Sequence, residues 1–314
     1  YQIFKIIINL KMLRNGISNN YRCDFMDDSL HSGIPKKYYS LKNKKFGDWE
    51  IPPWELFIFM DRQIGEGAFS RAYLAKWRET FVVAKVIKEE ILYEKKFLIL
   101  REIDIMSKMH HPNIVQFLGY IDDPFTIVME YIPNKNLQEN YGLLYKSTKI
   151  SIMKDILKGL AYIHNRTPYS LIHRDIKPTN IILTNSRVAK ITDFGLSKFY
   201  SLTKTFSHNN LTTLDNNQNE LYDNDLTSEV GTFRFMAPEM KKGKPYNNKI
   251  DIYSCGALFY ELFENRKFID KYQMIWYKTP KTIKNIILNY MLLDNPDDRY
   301  DALTLLKLLN KNKI

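Results

Sequence analysis

The chain has almost no cysteine. Its two, Cys23 and Cys255, lie far apart and without neighbours at metal-ligand or redox spacing, which excludes a disulfide scaffold or thiolate metal centre and points to a reducing, cytoplasmic compartment. Cys255 falls in the apolar run from Asp251 to Leu262, where a small thiol reads as core packing and not as a nucleophile. Long apolar runs are missing too. The opening Ile3-Phe4-Lys5-Ile6-Ile7-Ile8-Asn9-Leu10 is short and interrupted, well under the roughly 20 residues a membrane-spanning helix needs. Because the chain begins at Tyr1, a longer, membrane-tethered parent stays open. Clustered basic residues interleaved with aromatics are also absent. The net charge of +11 is scattered, so it reads as a solvated basic surface and no specific nucleic-acid partner is expected. There is no internal repeat. The apolar content of 45% is ample for a folded core.

The organisation is that of an α+β protein. Residues 1–56 mix Lys, Asn, Ser and Tyr without a sustained period and are expected to form an irregular extension that packs weakly. One domain follows over 57–314. Phe57–Ile64, Ala72–Trp77, Phe81–Ile87 and Phe125–Met129 predict strands, and Glu94–Met109 predicts a helix. After Pro133 the pattern becomes helical, most clearly over Ile150–Asn165, Lys249–Glu264, Thr282–Leu293 and Ala302–Leu309. This places a small β-rich lobe at about 57–131 and a larger helical one at about 132–314. From Ser201 to Ser228 the chain is amide-rich with no apolar face, and mobility is expected there.

The chemistry concentrates in two segments. His173-Arg174-Asp175-Ile176-Lys177-Pro178-Thr179-Asn180 is followed by Asp193-Phe194-Gly195. Asp175 can accept the proton of an attacking hydroxyl, and Lys177 can neutralise a moving phosphoryl group. Asn180 and Asp193 offer the hard oxygen ligands that Mg²⁺ prefers. Any one such tripeptide arises by chance on a turn. Their order, with Ala237-Pro238-Glu239 further on, resembles the eukaryotic protein kinase family. Trp49-Glu50-Ile51 ahead of the first strand is similar to its tyrosine-kinase-like branch. The resemblance runs from about Phe57 to the end and implies a bilobal kinase fold, ATP and Mg²⁺ as cofactors, protein substrates, and an activation segment over 193–239 that is long for the family.

The resemblance also implies how nucleotide is held. Ile64-Gly65-Glu66-Gly67-Ala68-Phe69-Ser70-Arg71-Ala72 is similar to the glycine-rich loop, with Ser70 for the third glycine and Ala72 for the usual valine. Taken alone it reads equally well as a hairpin turn. Paired glycines let backbone N–H groups approach phosphate oxygens, with Phe69 shielding them. Val83-Ala84-Lys85 resembles the strand whose lysine grips the α- and β-phosphates, with Glu102 as its anion and Glu94 as the alternative. Phe125–Ile132 resembles the strand and hinge at adenine. There Met129 would be the gatekeeper, backbone groups of Glu130 and Ile132 the polar contacts, and Ala72, Ala84 and Ile182 the apolar sandwich.

Lys177, with Thr232 in Gly231-Thr232-Phe233, implies serine/threonine acceptors; a tyrosine or dual preference is the alternative. A phosphate on Thr227 or Ser228 would compensate Arg174 and order the loop, the other reading being ordinary loop hydroxyls. Glu239 with Arg299, and Asp251 as the anchor of the His173 loop, are expected to be architectural. Met106, Phe117, His173 and Phe194 are expected to stack between the lobes. The stretch from Phe263 to Pro280 is short, so a docking helix is expected to be trimmed. The rival reading is a pseudokinase scaffold, against which stand the retained Lys85, Asp175, Asn180 and Asp193.

Overall fold

Runs rich in β-branched and aromatic residues between Leu56 and Ile87 favour strands, and a turn at Arg78 and Glu79, both with positive φ, reverses the chain between the second and third. The computed structural model describes residues 49–67, 70–89, 99–100, 102–166, 169–194, 197–201 and 233–312. Strands β1 (Leu56–Glu66), β2 (Ser70–Trp77), β3 (Thr80–Ile87), β4 (Phe117–Ile121) and β5 (Thr126–Glu130) form one antiparallel sheet in the order β1-β2-β3-β5-β4. The expected strands are all present. β4 was not anticipated, because Phe117-Leu118-Gly119-Tyr120-Ile121 is a short apolar run that periodicity cannot assign.

Helical residues 99–100 and 102–107 (α1) bury Ile99, Ile103 and Met106 at successive turns against this sheet. The first part of the expected 94–109 helix lies outside the described residues. The domain boundary moves, however. Ile51 donates its N–H to Tyr120 O at 2.7 Å, Glu50 bridges Tyr120 in parallel, and Trp49 packs on Phe117 with ring centroids 5.5 Å apart. Glu55 receives Trp77 Nε1 at 3.1 Å and Arg78 Nε at 2.8 Å. Residues 49–56 are therefore part of the β-rich lobe. The double proline and the lack of period disguised a segment that adds to the β4 edge through backbone bonds and aromatic stacking.

The larger lobe is built on α2 (Leu137–Asn140), α3 (Lys146–His164), α4 (Pro238–Lys241), α5 (Lys249–Glu264), α6 (Lys281–Tyr290) and α7 (Ala302–Lys311). α5 is buried along nearly its whole length and α3 packs across it. This explains its mostly apolar composition, since a helix surrounded by others has no solvent face. Gly159 of α3 permits the close approach of β8 (Ala189–Ile191): a Cβ there would meet Ile191 Cδ1 at 2.8 Å and Asn113 O at 3.0 Å. β8 pairs with β7 (Ile181–Leu183) in a hairpin, and β6 (Tyr169–Ile172) pairs with β9 (Lys198–Ser201). Between Asn265 and Pro280 there is a single 3-10 turn, Lys271–Gln273, and no α-helix.

Arg299, completely buried, locks this lobe. It holds Glu239 through Nη1 at 2.5 Å and Nη2 at 2.8 Å and donates Nε to Leu293 O at 2.8 Å. Removing one partner of such a pair strands a buried charge. Arg299→Met is expected to lower unfolding free energy by about 3–5 kcal/mol, seen as a lower urea midpoint. A loss below about 1 kcal/mol would show that solvent or a neighbour replaces the partner.

Candidate active site

β3 sets the first charge. Strand alternation sends Lys85 to one face, where its ammonium meets Glu102 Oε1 of α1 at 2.7 Å and Asp193 Oδ1 at 3.4 Å. Burial works against the charge of Lys85, but the carboxylates of Glu102 and Asp193 outweigh it and hold the ammonium above its ordinary pKa. The same contact acts in reverse on Asp193: Lys85 draws its pKa down against the opposing effect of burial, helped by the charge of Lys177. The anion expected for Lys85 is thus Glu102. Glu94 lies outside the described residues.

Alternation also corrects the expected apolar sandwich. Ala84, next to Lys85, points to the opposite face and is completely buried with Ala75, Val82, Ile121 and Val128, so it cannot cover a base. Val83, two positions before Lys85, shares the lysine's face. It pairs with Met129 of β5 and packs against the main core. Ala72, opposite Lys85 in the β2–β3 register, keeps its expected place. Period-two counting back from Lys85 finds Val83; matching the alanine of the motif by residue type does not.

The loop after β6 is held from below. Asp251 of α5, fully buried, accepts the N–H of His173 at 2.8 Å and of Arg174 at 2.9 Å, and bonds His164 Nε2 at 2.8 Å. Burial pushes the Asp251 pKa up, but these bonds and the neighbouring histidines more than offset it, leaving it lowered. His173 accepts the Asp175 N–H at Nδ1 (3.3 Å) and directs Nε2 at Thr192 O (3.1 Å), which specifies the Nε2–H tautomer. It also meets the Phe194 ring edge-on at 4.8 Å. His173 is therefore a packed structural residue, and Met106, Phe117 and Phe194 are buried in the same core, as expected.

Asp175 is oriented through one of its oxygens. Its Oδ2 receives Lys177 Nζ at 3.0 Å and Asn180 Nδ2 at 2.8 Å, and Asn180 Nδ2 also reaches Asp175 O at 2.9 Å. Oδ1 is buried with no partner. Burial raises the Asp175 pKa and Lys177 opposes the rise, while Asp193 adds to it through its like charge. Asp193 reaches the same cleft through the β7–β8 hairpin, with Thr192 N bonded to Asn180 O at 3.0 Å. Its positive φ of 67° is a conformation that costs a non-glycine residue energy. Base and metal-ligand candidates thus converge as the motif spacing implied.

The glycine-rich loop closes as a hairpin, with Gly67 N bonded to Ser70 O at 2.9 Å. Glu66 receives Lys88 at 3.0 Å and Arg71 at 3.2 Å, and these bonds, that of Lys88 foremost, bring its pKa down to about 2. Arg71 thus braces the loop through an exposed ion pair with Glu66. Ile64 is half exposed beside the loop. In the hinge, Glu130 N is bonded to Gln116 O at 2.9 Å, so this N–H cannot also serve adenine. The Glu130 side chain takes Lys190 Nζ of β8 at 2.5 Å and Gln116 N at 2.7 Å. That tie between hinge and larger lobe was not foreseen, because exposed Glu and Lys are ordinarily only solvated. Ile132 and Ile182 are half-buried at the lobe junction. Ala68, Phe69, Gly195, Thr227, Ser228 and Thr232 lie outside the described residues.

Comparison with known proteins agrees with this geometry. A family model described as "Protein kinase domain" matches residues 59–311. The chain is 35% identical over 226 residues to the serine/threonine-protein kinase VIK of Arabidopsis thaliana, covering 69% of this chain and 48% of that protein. It is 34% identical over 227 residues to serine/threonine-protein kinase CTR1 of the same plant (68% and 25%). Against serine/threonine/tyrosine-protein kinase HT1, also from Arabidopsis, identity is 32% over 218 residues (65% and 50%). The chain therefore spans half or less of the length of these relatives.

The raised pKa of Asp175 is directly measurable. In a ¹³C NMR titration its carboxyl should have a midpoint above the ordinary value of about 3.9, and Lys177→Met should move it higher still, because the opposing cation is gone. A midpoint at or below the ordinary value, or a downward move in the variant, would contradict the balance of burial and charge described above.

Proposed function

The chain belongs to the protein kinase domain family, in its tyrosine-kinase-like branch, and on that premise we propose that it transfers the γ-phosphoryl group of ATP to serine and threonine hydroxyls of protein substrates. The observation that carries the proposal is Asp175. It is buried, oriented by two donors on Oδ2, and left with a bare Oδ1 in a cleft shared with Lys85, Asn180 and Asp193. A carboxylate so arranged has one thing to offer, an acceptor for the proton of an incoming alcohol.

The donor set fits Mg²⁺. Asn180 spends its Nδ2 on Asp175, which leaves the carbonyl oxygen for a cation, and Asp193 is an ionised carboxylate beside it. Mg²⁺ takes one or two protein oxygens and completes its shell with phosphates and water. When bound, it would neutralise charge on the phosphate oxygens. Backbone N–H groups of the glycine-rich loop other than that of Gly67, which is bonded to Ser70 O, would face the phosphates, and Lys85, fixed by Glu102, would pair with them. Ala72, Val83, Met129 and Ile182 would enclose the base, with the Glu130 carbonyl and the Ile132 backbone as polar contacts. Lys177 sits on Asp175 and would follow charge as it develops on the transferred group.

Arg174 supports the regulatory part of the reading. It is buried, its φ is 73°, its Nε has no partner, and its guanidinium lies 5.5 Å from the Tyr246 ring. A phosphate on Thr227 or Ser228 would complete it through charge-assisted bonds. The buried, unpaired thiol of Cys255 supports a reducing compartment.

The test is transfer of labelled phosphate from ATP with Mg²⁺ to serine, threonine and tyrosine peptides. The tyrosine arm is included because one relative is named for all three. The wild-type chain should label serine and threonine, and Asp175→Asn should reduce kcat by about 10²–10⁴ with ATP affinity retained. Transfer undiminished in the variant would remove Asp175 as the base, and ATP binding without transfer by the wild type would favour a scaffold.

A further inference from the structure

A second site lies away from the nucleotide cleft. Phe233 and Arg234, where the chain leaves the long segment after Asp193, form a cavity of about 500 Å³ with Lys241, Asp270 and the loop that replaces the trimmed helix. None of the nucleotide-site residues lines it. We propose that this cavity binds an anionic side chain of the protein substrate, a carboxylate or a phosphate ester, and so makes the chain select acidic sequences around its acceptor. This deepens the transfer reading above by naming its substrate class.

Three observations carry it. The first is the fate of the one buried acid beneath the cavity. Glu261 is almost fully buried, and its Oε1 is taken by Arg234 Nε at 3.0 Å and Phe268 N at 2.9 Å, with Tyr141 Oη at 3.4 Å from Oε2. A carboxylate so saturated has nothing left for a basic substrate residue. The second is charge. Arg234 is paired with Glu261, which leaves Lys241 and Lys267 with a single lining carboxylate, Asp270, whose Oδ1 already accepts from Tyr272 N at 2.8 Å. Among the described residues Lys241 has no hydrogen-bonded carboxylate; its ammonium rests 4.9 Å from the Phe233 ring, and burial lowers its pKa. An incoming anion would complete it. The third is continuity. Ser254 Oγ bonds Phe235 O at 2.8 Å, and Glu239, held by Arg299, fixes the next turn. The cavity wall is thus anchored to α5 and to the buried Glu239–Arg299 pair, with Phe233 and Ile269 exposed at its rim for the apolar part of a peptide.

The test has two arms. In the first, the wild-type chain and Lys241→Glu/Lys267→Glu phosphorylate a positional library of serine peptides scanned with Asp, phosphoserine, Ala and Lys. Asp or phosphoserine at a fixed position should raise kcat/KM by about three- to fivefold per ion pair over Ala, and the double variant should prefer Lys there, with KM for ATP unchanged. A larger gain for phosphoserine than for Asp would mark previously phosphorylated substrates, and equal gains unmodified acidic ones. In the second arm, fluorescence anisotropy measures binding of the same peptides without ATP. Lys267→Glu alone, an exposed change that leaves the fold intact, serves as a milder variant. Acidic peptides that bind the wild type better than Ala peptides, and lose that advantage in the variants, support the cavity even if no peptide is phosphorylated, an outcome that would overturn only the transfer reading. Equal binding of acidic and Ala peptides, or a preference for Lys, would overturn this inference.

Discussion

One carboxylate holds the working part of this protein together. Asp251 sits in the first turn of the buried helix α5 and reaches up to two consecutive backbone N–H groups, those of His173 and Arg174, while His164 braces it from the side. Burying a charge there is costly unless every lone pair is used, and here each oxygen has a partner. The return is geometric. Arg174 adopts a left-handed backbone conformation that an arginine would not choose alone, and the neighbouring residue is thereby presented to the cleft. A helix of the larger lobe thus determines where a loop residue points.

The cleft itself is an arrangement of charges that balance only jointly. Lys85 comes from the small sheet, Glu102 from its helix, Asp193 from the larger lobe, and the three meet within salt-bridge distance. The cation draws the pKa of Asp193 down, and the two carboxylates in turn keep the cation charged despite burial. The core that holds Met106, Phe117 and Phe194, the last in edge-on contact with His173, lies behind them. The Glu130–Lys190 bond joins hinge to larger lobe at the other side. Lobe positions are consequently tied at three places, two polar and one apolar.

Much of this was readable from residues because the chemistry is local in sequence. Asp175, Lys177 and Asn180 fall within one loop, and Asp193 follows after a single hairpin, so motif spacing alone brings them together. The α3, α5, α6 and α7 helices announced themselves through apolar period. The sequence was mute where identity depends on facing. Ala84 matches a family residue by type but lies on the wrong side of its strand, while Val83 has the right side and the wrong name. Trp49–Leu56 lacked any period because its order comes from an edge bridge to Tyr120 and stacking on Phe117. Likewise Glu66, Arg71 and Lys88 look like loop charges until the strands bring them side by side.

The amide of Asn180 has a consequence for which chemistries the loop tolerates. Both hydrogens of its nitrogen are given to Asp175, one to the main-chain oxygen and one to the side chain. An acid of the same shape would be at least as good a magnesium ligand, yet it would have no hydrogens to give and would set like charge against like across the same gap. The position therefore requires a neutral group with two different ends: a donor that steadies the neighbouring base and an oxygen that looks outward.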